Sequence, residues 1–442
     1  MSNQLIINIL VFLSGGKLSC TSRMRPLEYL CGMLILLDCR PLQYAGYRSD
    51  NERSLFILST AALLSREQGV EWLCLVDHTY KPGDLPGFSN DLQTILGSYT
   101  LLSRRAFPGW TGWKMWYDGQ VPRWAKKFRA DLVMTTGGIS AAAIRIPQCV
   151  WMPEDVNIQE RKEEKRAGGR TAAKESSFYS ARLAESLFHA NAIFCFSAKD
   201  KEFLSGQTSG SVDNKIIVLS PVADEAITPL STEEKEKAKA AYAGGKEYFL
   251  APVPEAGAGQ KAGTGQKEAT AAKDIINLLK AFSLFKKRQM SNMQLILVDG
   301  SGGAPGRELA EKLATYKFRQ EVHWISDPSK EDQARMTAAA YGILLPFGNH
   351  SLGTALLNAW KAQVPVITGS AGRLPEIAGE AALYGSAETP ILLAGQLMLL
   401  YKDEALRHRL IEKGKERLRS LSGERPVDAV WRGIRMANQI II

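Results

Sequence analysis

The chain has 442 residues, of which 45% are apolar and 23% charged, and carries a formal net charge of +9. That length exceeds one ordinary domain and fits two or three, each with its own core, while the composition excludes a disordered chain. The basic balance favours anionic partners such as nucleotides or phospholipid surfaces, but no recognition motif accompanies it, so no specific nucleic-acid partner is expected.

Residues 1–32 read as an extension of uncertain role. Leu5–Leu13 is apolar but far short of a membrane span, with no basic segment ahead of it. Met24 and Met33 are alternative starts. Met33–Asp38 reads as a buried strand, followed by the polar, Gly-containing stretch Cys39–Arg48 and a helix over Glu52–Glu67. Glu71–Val76 and Ala130–Thr135 read as further strands. Between them, Arg104–Arg129 interleaves tryptophans and cations. Three readings stay open there: tryptophans used as core, a face for a membrane or acceptor, or stacking on bases. Glu160–Lys174 is a mixed-charge run expected to be a solvated loop. Ala192–Ser197 and Lys215–Leu219 are strands with a helical stretch between them, and the first domain is placed over 33–225.

Lys246–Ala251 opens a second domain, placed over 226–425. Pro252–Ala272 is rich in Gly, Ala, Lys and Gln with little apolar content, and reads as a loop or surface insertion. The helix that follows is expected over Ile275–Lys287. Met293–Val298, Val322–Ile325 and Ile343–Leu345 are strands alternating with helices at Leu309–Tyr316 and Glu331–Ala340, which predicts a parallel sheet covered on both faces. Ile391–Leu400 and Glu404–Ser422 read as helices. Residues 426–442 are expected to form a terminal helix that packs back across the domains. The six cysteines form no CxxC pair and lie in or beside apolar runs, as reduced, packed thiols would.

The most informative stretch runs from Pro346 to Ile377. A strand gives way to a polar loop, a helix, a second strand and the glycine loop Gly369-Ser370-Ala371-Gly372. Such a path aims several backbone N–H groups at one crevice, as a phosphate-bearing ligand requires. The polar side chains at its mouth are His350 and Asn358, neither of them a carboxylate.

From Met33 onward these landmarks, in this order, resemble the family-4 glycosyltransferases. They include Ala192–Ser197, Lys215–Leu219, Lys246–Leu250, Lys273 through Phe282, Leu295–Gly300 and Ala340–Ala382. The resemblance implies an α/β protein of GT-B architecture, two facing Rossmann-like domains with an inter-domain cleft. It implies transfer of a sugar from a nucleotide-sugar donor to a glycan or lipid-linked acceptor, with retention at the anomeric carbon. Neither a metal nor a further cofactor is expected, since a helix N-terminus plus Arg or Lys can stabilise the leaving diphosphate.

In the family a Glu-x7-Glu motif contacts the sugar and clamps the ribose. Those places fall here on His350 and Asn358, with Gly353 retaining the motif's glycine. Lys273 matches a lysine at the start of a helix and is the expected phosphate contact; Lys261 and Lys267 are weaker candidates. Gly369, Ser370 and Gly372 are expected to cradle diphosphate or sugar, and Glu376 to contact the ligand or cap a neighbouring backbone. Gly46, Arg48, Gly137 and Gly138 are the candidates from across the cleft. The expected location is the cytoplasm, with peripheral contact at the inner face of the membrane through 104–129. The absent glutamates keep a rival in view: a non-catalytic GT-B protein that binds glycans or scaffolds polysaccharide assembly.

Overall fold

A computed structural model describes residues 32–44, 52–77, 92–96, 99–107, 109–141, 144–153, 181–253, 265–300, 304–347 and 353–439. Gly46, Arg48, His350 and the run 160–174 lie outside the described residues. The apolar runs form two separate sheets. The first contains β1 (Leu34–Asp38), β2 (Glu71–Asp77), β3 (Thr100–Arg104), β4 (Leu132–Thr135), β5 (Gln148–Trp151), β6 (Ala192–Cys195) and β7 (Ile216–Val218). The second contains β8 (Tyr248–Pro252), β9 (Gln294–Asp299), β10 (Val322–Ser326), β11 (Gly342–Leu345), β12 (Val366–Thr368) and β13 (Leu383–Tyr384).

Their orders are β3-β2-β1-β4-β5-β6-β7 and β10-β9-β8-β11-β12-β13. Every pairing is parallel. Each sheet therefore starts in the middle, winds to one edge, then returns and winds to the other, as in doubly wound folds. Helices on both faces explain why the central strands are continuous apolar runs rather than alternating ones. Close approach is built in at Gly342 of β11, where an added Cβ would stand 2.9 Å from Leu400 Cδ2 and 3.4 Å from Phe249 Cδ1. Among the described residues no helix is long and apolar enough to cross a membrane.

The segment 104–129 is a helical path. Helix Gly109–Met115 continues through a wide turn, Trp116–Gln120, into helix Val121–Phe128. Trp116, Tyr117 and Trp124 are buried with Leu36, Leu73, Leu75 and Val133. These aromatics are core, while Lys114, Arg123, Lys126, Lys127 and Arg129 remain exposed. Arg104 lies 3.8 Å from the Trp124 ring centroid, an arrangement that lets the cation keep its charge near solvent while covering the ring.

The loop expected over 252–272 is corrected in part. A helix spans Gly265–Gln289, so residues 265–272 are helical. Gln, Lys, Glu and Ala are strong helix formers, and that propensity outweighs the missing apolar face. Cys39, Cys74, Cys149 and Cys195 are free and buried.

Helix Pro426–Gln439 lies against helix Glu52–Gln68 and strands β5, β6 and β7. It places Val427, Val430, Ile434 and Ala437 in the core of the first sheet. Arg425, just before it, grips the Glu67 carboxylate with two hydrogen bonds of 3.0 and 2.9 Å.

Candidate functional site

In a doubly wound sheet, ligands bind beyond the carboxyl ends of the strands where the winding reverses. Those points are β1/β4 in the first sheet and β8/β11 in the second. The residues at these strand ends are the ones that form the candidate site.

On the first-domain side, Gly137 and Gly138 follow β4. A Cβ on Gly137 would stand 2.8 Å from the Tyr117 hydroxyl and 2.9 Å from Pro41 Cγ. Gly138 has φ 76° and donates its N–H to Trp151 O at 3.0 Å. Both glycines thus serve close backbone packing at the strand end, and the floor beneath them is polar and buried. Asp38, ending β1, is fully buried and accepts from Trp116 Nε1 at 2.9 Å and from the Arg40 N–H at 3.2 Å. Arg40, also fully buried, donates to Gly112 O at 3.1 Å and Phe107 O at 3.0 Å. Its Nε lies 3.7 Å from Asp77 Oδ2 at the end of β2, and the guanidinium stacks 4.0 Å from the Trp113 centroid. Arg53 donates to Met152 O at 3.2 Å and to Thr136 O, tying β4 to β5.

Burial pushes the Asp38 carboxyl up from 3.8 to about 6, a rise only partly offset by the bonds from Trp116, Arg40 and Tyr117 and by the Arg40 charge. The folded chain therefore holds this proton across a window in which the unfolded chain releases it. Stability falls as pH rises through that window, and the cost of about 3 kcal/mol is complete above the folded value. Asp38→Asn keeps an acceptor for Trp116 and Arg40 but has no proton to lose. It is expected to flatten the decline in denaturation midpoint between pH 4 and pH 7; an unchanged decline in the variant would assign it to another group.

On the second-domain side, three loops meet at the ends of β11, β12 and β13. Gly369 N–H donates to Leu345 O at 2.9 Å, Gly385 N–H to Thr368 O at 2.8 Å, and Ala387 N–H to Pro346 O at 3.0 Å. Gly353 starts helix Thr354–Lys361 in a left-handed conformation with φ 97°. A Cβ on Gly353 would lie 2.7 Å from Ile377 Cδ1, so the helix start and the glycine loop are neighbours. Ser370 is exposed, and Gly372 has φ 73°. Among the described residues, no carbonyl accepts from the N–H groups of Ser370, Ala371 or Gly372. Backbone donors left open in consecutive residues suit an anion.

Two expected contacts are already engaged within the protein. Asn358 Oδ1 accepts from the Asp224 N–H at 2.7 Å, and Lys361 Nζ donates to Asp224 O at 2.8 Å. This helix thereby holds the segment that joins the sheets. Glu376 Oε1 accepts from the Ala198 N–H at 2.6 Å and Oε2 from the Lys199 N–H at 3.4 Å, so its carboxylate meets the start of helix Ala198–Gln207. Lys273 is exposed in the third turn of helix Gly265–Gln289 rather than at its start. Its charge acts on Asp274, whose carboxyl is raised by burial and by Glu388, with Lys273 opposing both. Sequence reasoning missed Asp38, Arg40, Arg53 and Arg373. For Asp38 and Arg40 the available signal was an aspartate ending an apolar strand with an arginine two residues on.

Residues 267–417 match the family model described as Glycosyl transferases group 1. No curated protein matches the chain by sequence. WaaG, a glycosyltransferase involved in lipopolysaccharide biosynthesis, superposes with a TM-score of 0.60 at 15% identity, covering 92% of this chain and 99% of WaaG. A glycosyltransferase from Rickettsia africae ESF-5 gives 0.62 at 14% identity, covering 93% of this chain and 99% of that one. Anabaena HepE in complex with UDP-glucose gives 0.59 at 14% identity, over 92% and 99%. At such identities the likeness establishes architecture rather than substrate. The chain thus has the GT-B fold, and its residues 267–417 are similar to the Glycosyl transferases group 1 family.

Proposed function

We propose that the chain is a nucleotide-sugar glycosyltransferase that moves a sugar to a glycan or lipid-linked acceptor with retention. The observation that carries this reading is the run of backbone N–H groups at Ser370–Gly372 that no described carbonyl takes, beside the helix start at Gly353. Donors fixed before the ligand arrives stabilise a leaving diphosphate without reorganising. In this reading Lys273 supplies positive charge on a long side chain, His350 contacts the sugar, and Gly46, Arg48, Gly137 and Gly138 approach from the opposite wall. The solved HepE complex with UDP-glucose supports a donor of this class. The diphosphate's own oxygen helps to activate the acceptor hydroxyl. The proposed location is cytoplasmic, with the exposed cations of 104–129 resting on an anionic membrane.

Purified protein incubated with a panel of radiolabelled nucleotide sugars, and acceptors presented in anionic vesicles, is expected to transfer sugar or hydrolyse a donor slowly. Saturable binding with no turnover across the panel would sink catalysis. It would support the second reading, a GT-B protein that binds glycans or scaffolds polysaccharide assembly. One observation favours that rival: the Asn358 oxygen, standing where the resemblance places a ribose-clamping glutamate, is committed to Asp224.

A further inference from the structure

We infer that Arg373 and Glu376 are positioning residues that tie the Ser370–Gly372 loop to the first domain, so that the loop follows any movement between the domains. The inference rests on the donor-loop reading above. Arg373 directly follows Gly372, and its Nε lies 3.1 Å from Asp200 Oδ2, with the two side chains only 7% and 14% exposed. Its guanidinium also lies 5.7 Å from the Phe196 ring centroid. Three residues on, the Glu376 carboxylate receives the Ala198 and Lys199 N–H groups. All these partners belong to β6's exit and the first turn of helix Ala198–Gln207, whose Ser197 cap takes the Asp200 N–H at 2.9 Å.

The two links have opposite polarity. The first-domain turn offers backbone N–H groups to Glu376 and a carboxylate to Arg373. Helix-start N–H groups have no partner within their own helix, and negative charge is favoured there. The buried Arg373–Asp200 pair adds a directional, charge-assisted bond. Only one register satisfies both links, so they hold the loop in one place relative to the first-domain turn. The short helix carrying Glu376 is also braced from behind. Arg417 donates to Glu376 O at 2.9 Å and to Ile377 O at 2.8 Å. The loop's exit is therefore clamped between a helix of its own domain and a helix turn of the other, and neither Arg373 nor Glu376 needs to touch a ligand to set the loop's geometry.

The test uses the full chain with Glu376→Ala, Glu376→Gln and Asp200→Asn. The amides of Glu376, Ile377 and Gly379 donate to Arg373 O and Pro375 O, and those of Ala198 and Lys199 donate to Glu376, so hydrogen exchange reads both sides. Without ligand, Glu376→Ala is expected to speed exchange about tenfold or more at both sets of amides. The side-chain amide introduced by Glu376→Gln still offers an acceptor, so that variant should restore most of the protection. Asp200→Asn should loosen the amides of residues 376–379 although it lies in the other domain. Unchanged exchange at residues 376–379 in both Asp200→Asn and Glu376→Ala would overturn the tie. UDP titration separates the two ideas: affinity about tenfold weaker in Glu376→Ala supports positioning of the loop. Wild-type affinity in Glu376→Ala would overturn the positioning role. UDP failing to bind the wild type would overturn the donor reading, with exchange then deciding the tie.

Discussion

Arg40→Ala is expected to lower the unfolding free energy by about 3–5 kcal/mol, the range for breaking one partner out of a buried charged cluster. The side chain is fully buried, and its loss strips donors from Phe107 O and Gly112 O while removing the guanidinium beside Asp77. It also empties the space against Trp113 and Trp116. Arg40→Lys should recover little, because an ammonium cannot serve two carbonyls while stacking on an indole. The paired change Arg40→Met with Asp77→Asn should recover more than either single change, since a buried ion pair is itself weakly stabilising. Urea denaturation of these variants checks this. A loss below about 1 kcal/mol for Arg40→Ala would mean that water replaces the guanidinium.

The second large effect is expected at Gly433, on the helix that returns to the first domain. An added Cβ there would lie 2.7 Å from two ring atoms of Phe194 and 2.9 Å from Ile217 Cδ1. Phe194 is fully buried, with its ring 5.0 Å from Trp151 by centroid, so it has no free end to swing away. In an exposed helix, replacing Gly gains about 1 kcal/mol. Here the clash reverses the sign: Gly433→Ala should cost about 1–3 kcal/mol by overpacking. Gly433→Leu should lift the helix and expose the β5–β7 face to proteolysis. Stability equal to wild type in Gly433→Leu would mean that the helix packs by another route.

How much of this was legible depended on what each residue touches. The central strands, such as Leu295–Val298, read clearly because both faces are buried and every position is apolar. Strand β3 did not, because as an edge strand it exposes Thr100, Leu101 and Ser103. The helical path 109–128 was hidden by Gly109, Gly112, Gly119 and Pro122. Gly112 is required there, since a Cβ would lie 1.6 Å from Phe107 O, the carbonyl that Arg40 grips. In the site, the grouping of Gly353 with Gly369–Gly372 was legible because strand, loop and helix follow one another locally. The duties of Asn358 and Glu376 were not, because their partners lie 134 and 178 residues away. A polar side chain in a loop looks the same whether it awaits a ligand or already holds the backbone of another domain.

The return of helix Pro426–Gln439 to the first sheet also governs how the protein is made. A ribosome releases β1 through β7 long before the helix that covers β5–β7 exists. During that interval Trp151, Phe194 and Ile217 lack the residues that bury them in the finished molecule. Domains translated first usually fold first, yet this one can reach only an incomplete form until the second domain and helix Pro426–Gln439 have also been synthesised. The nascent intermediate presents an apolar face to chaperones and to other chains, and a helix more than 200 residues downstream of β7 completes the first domain.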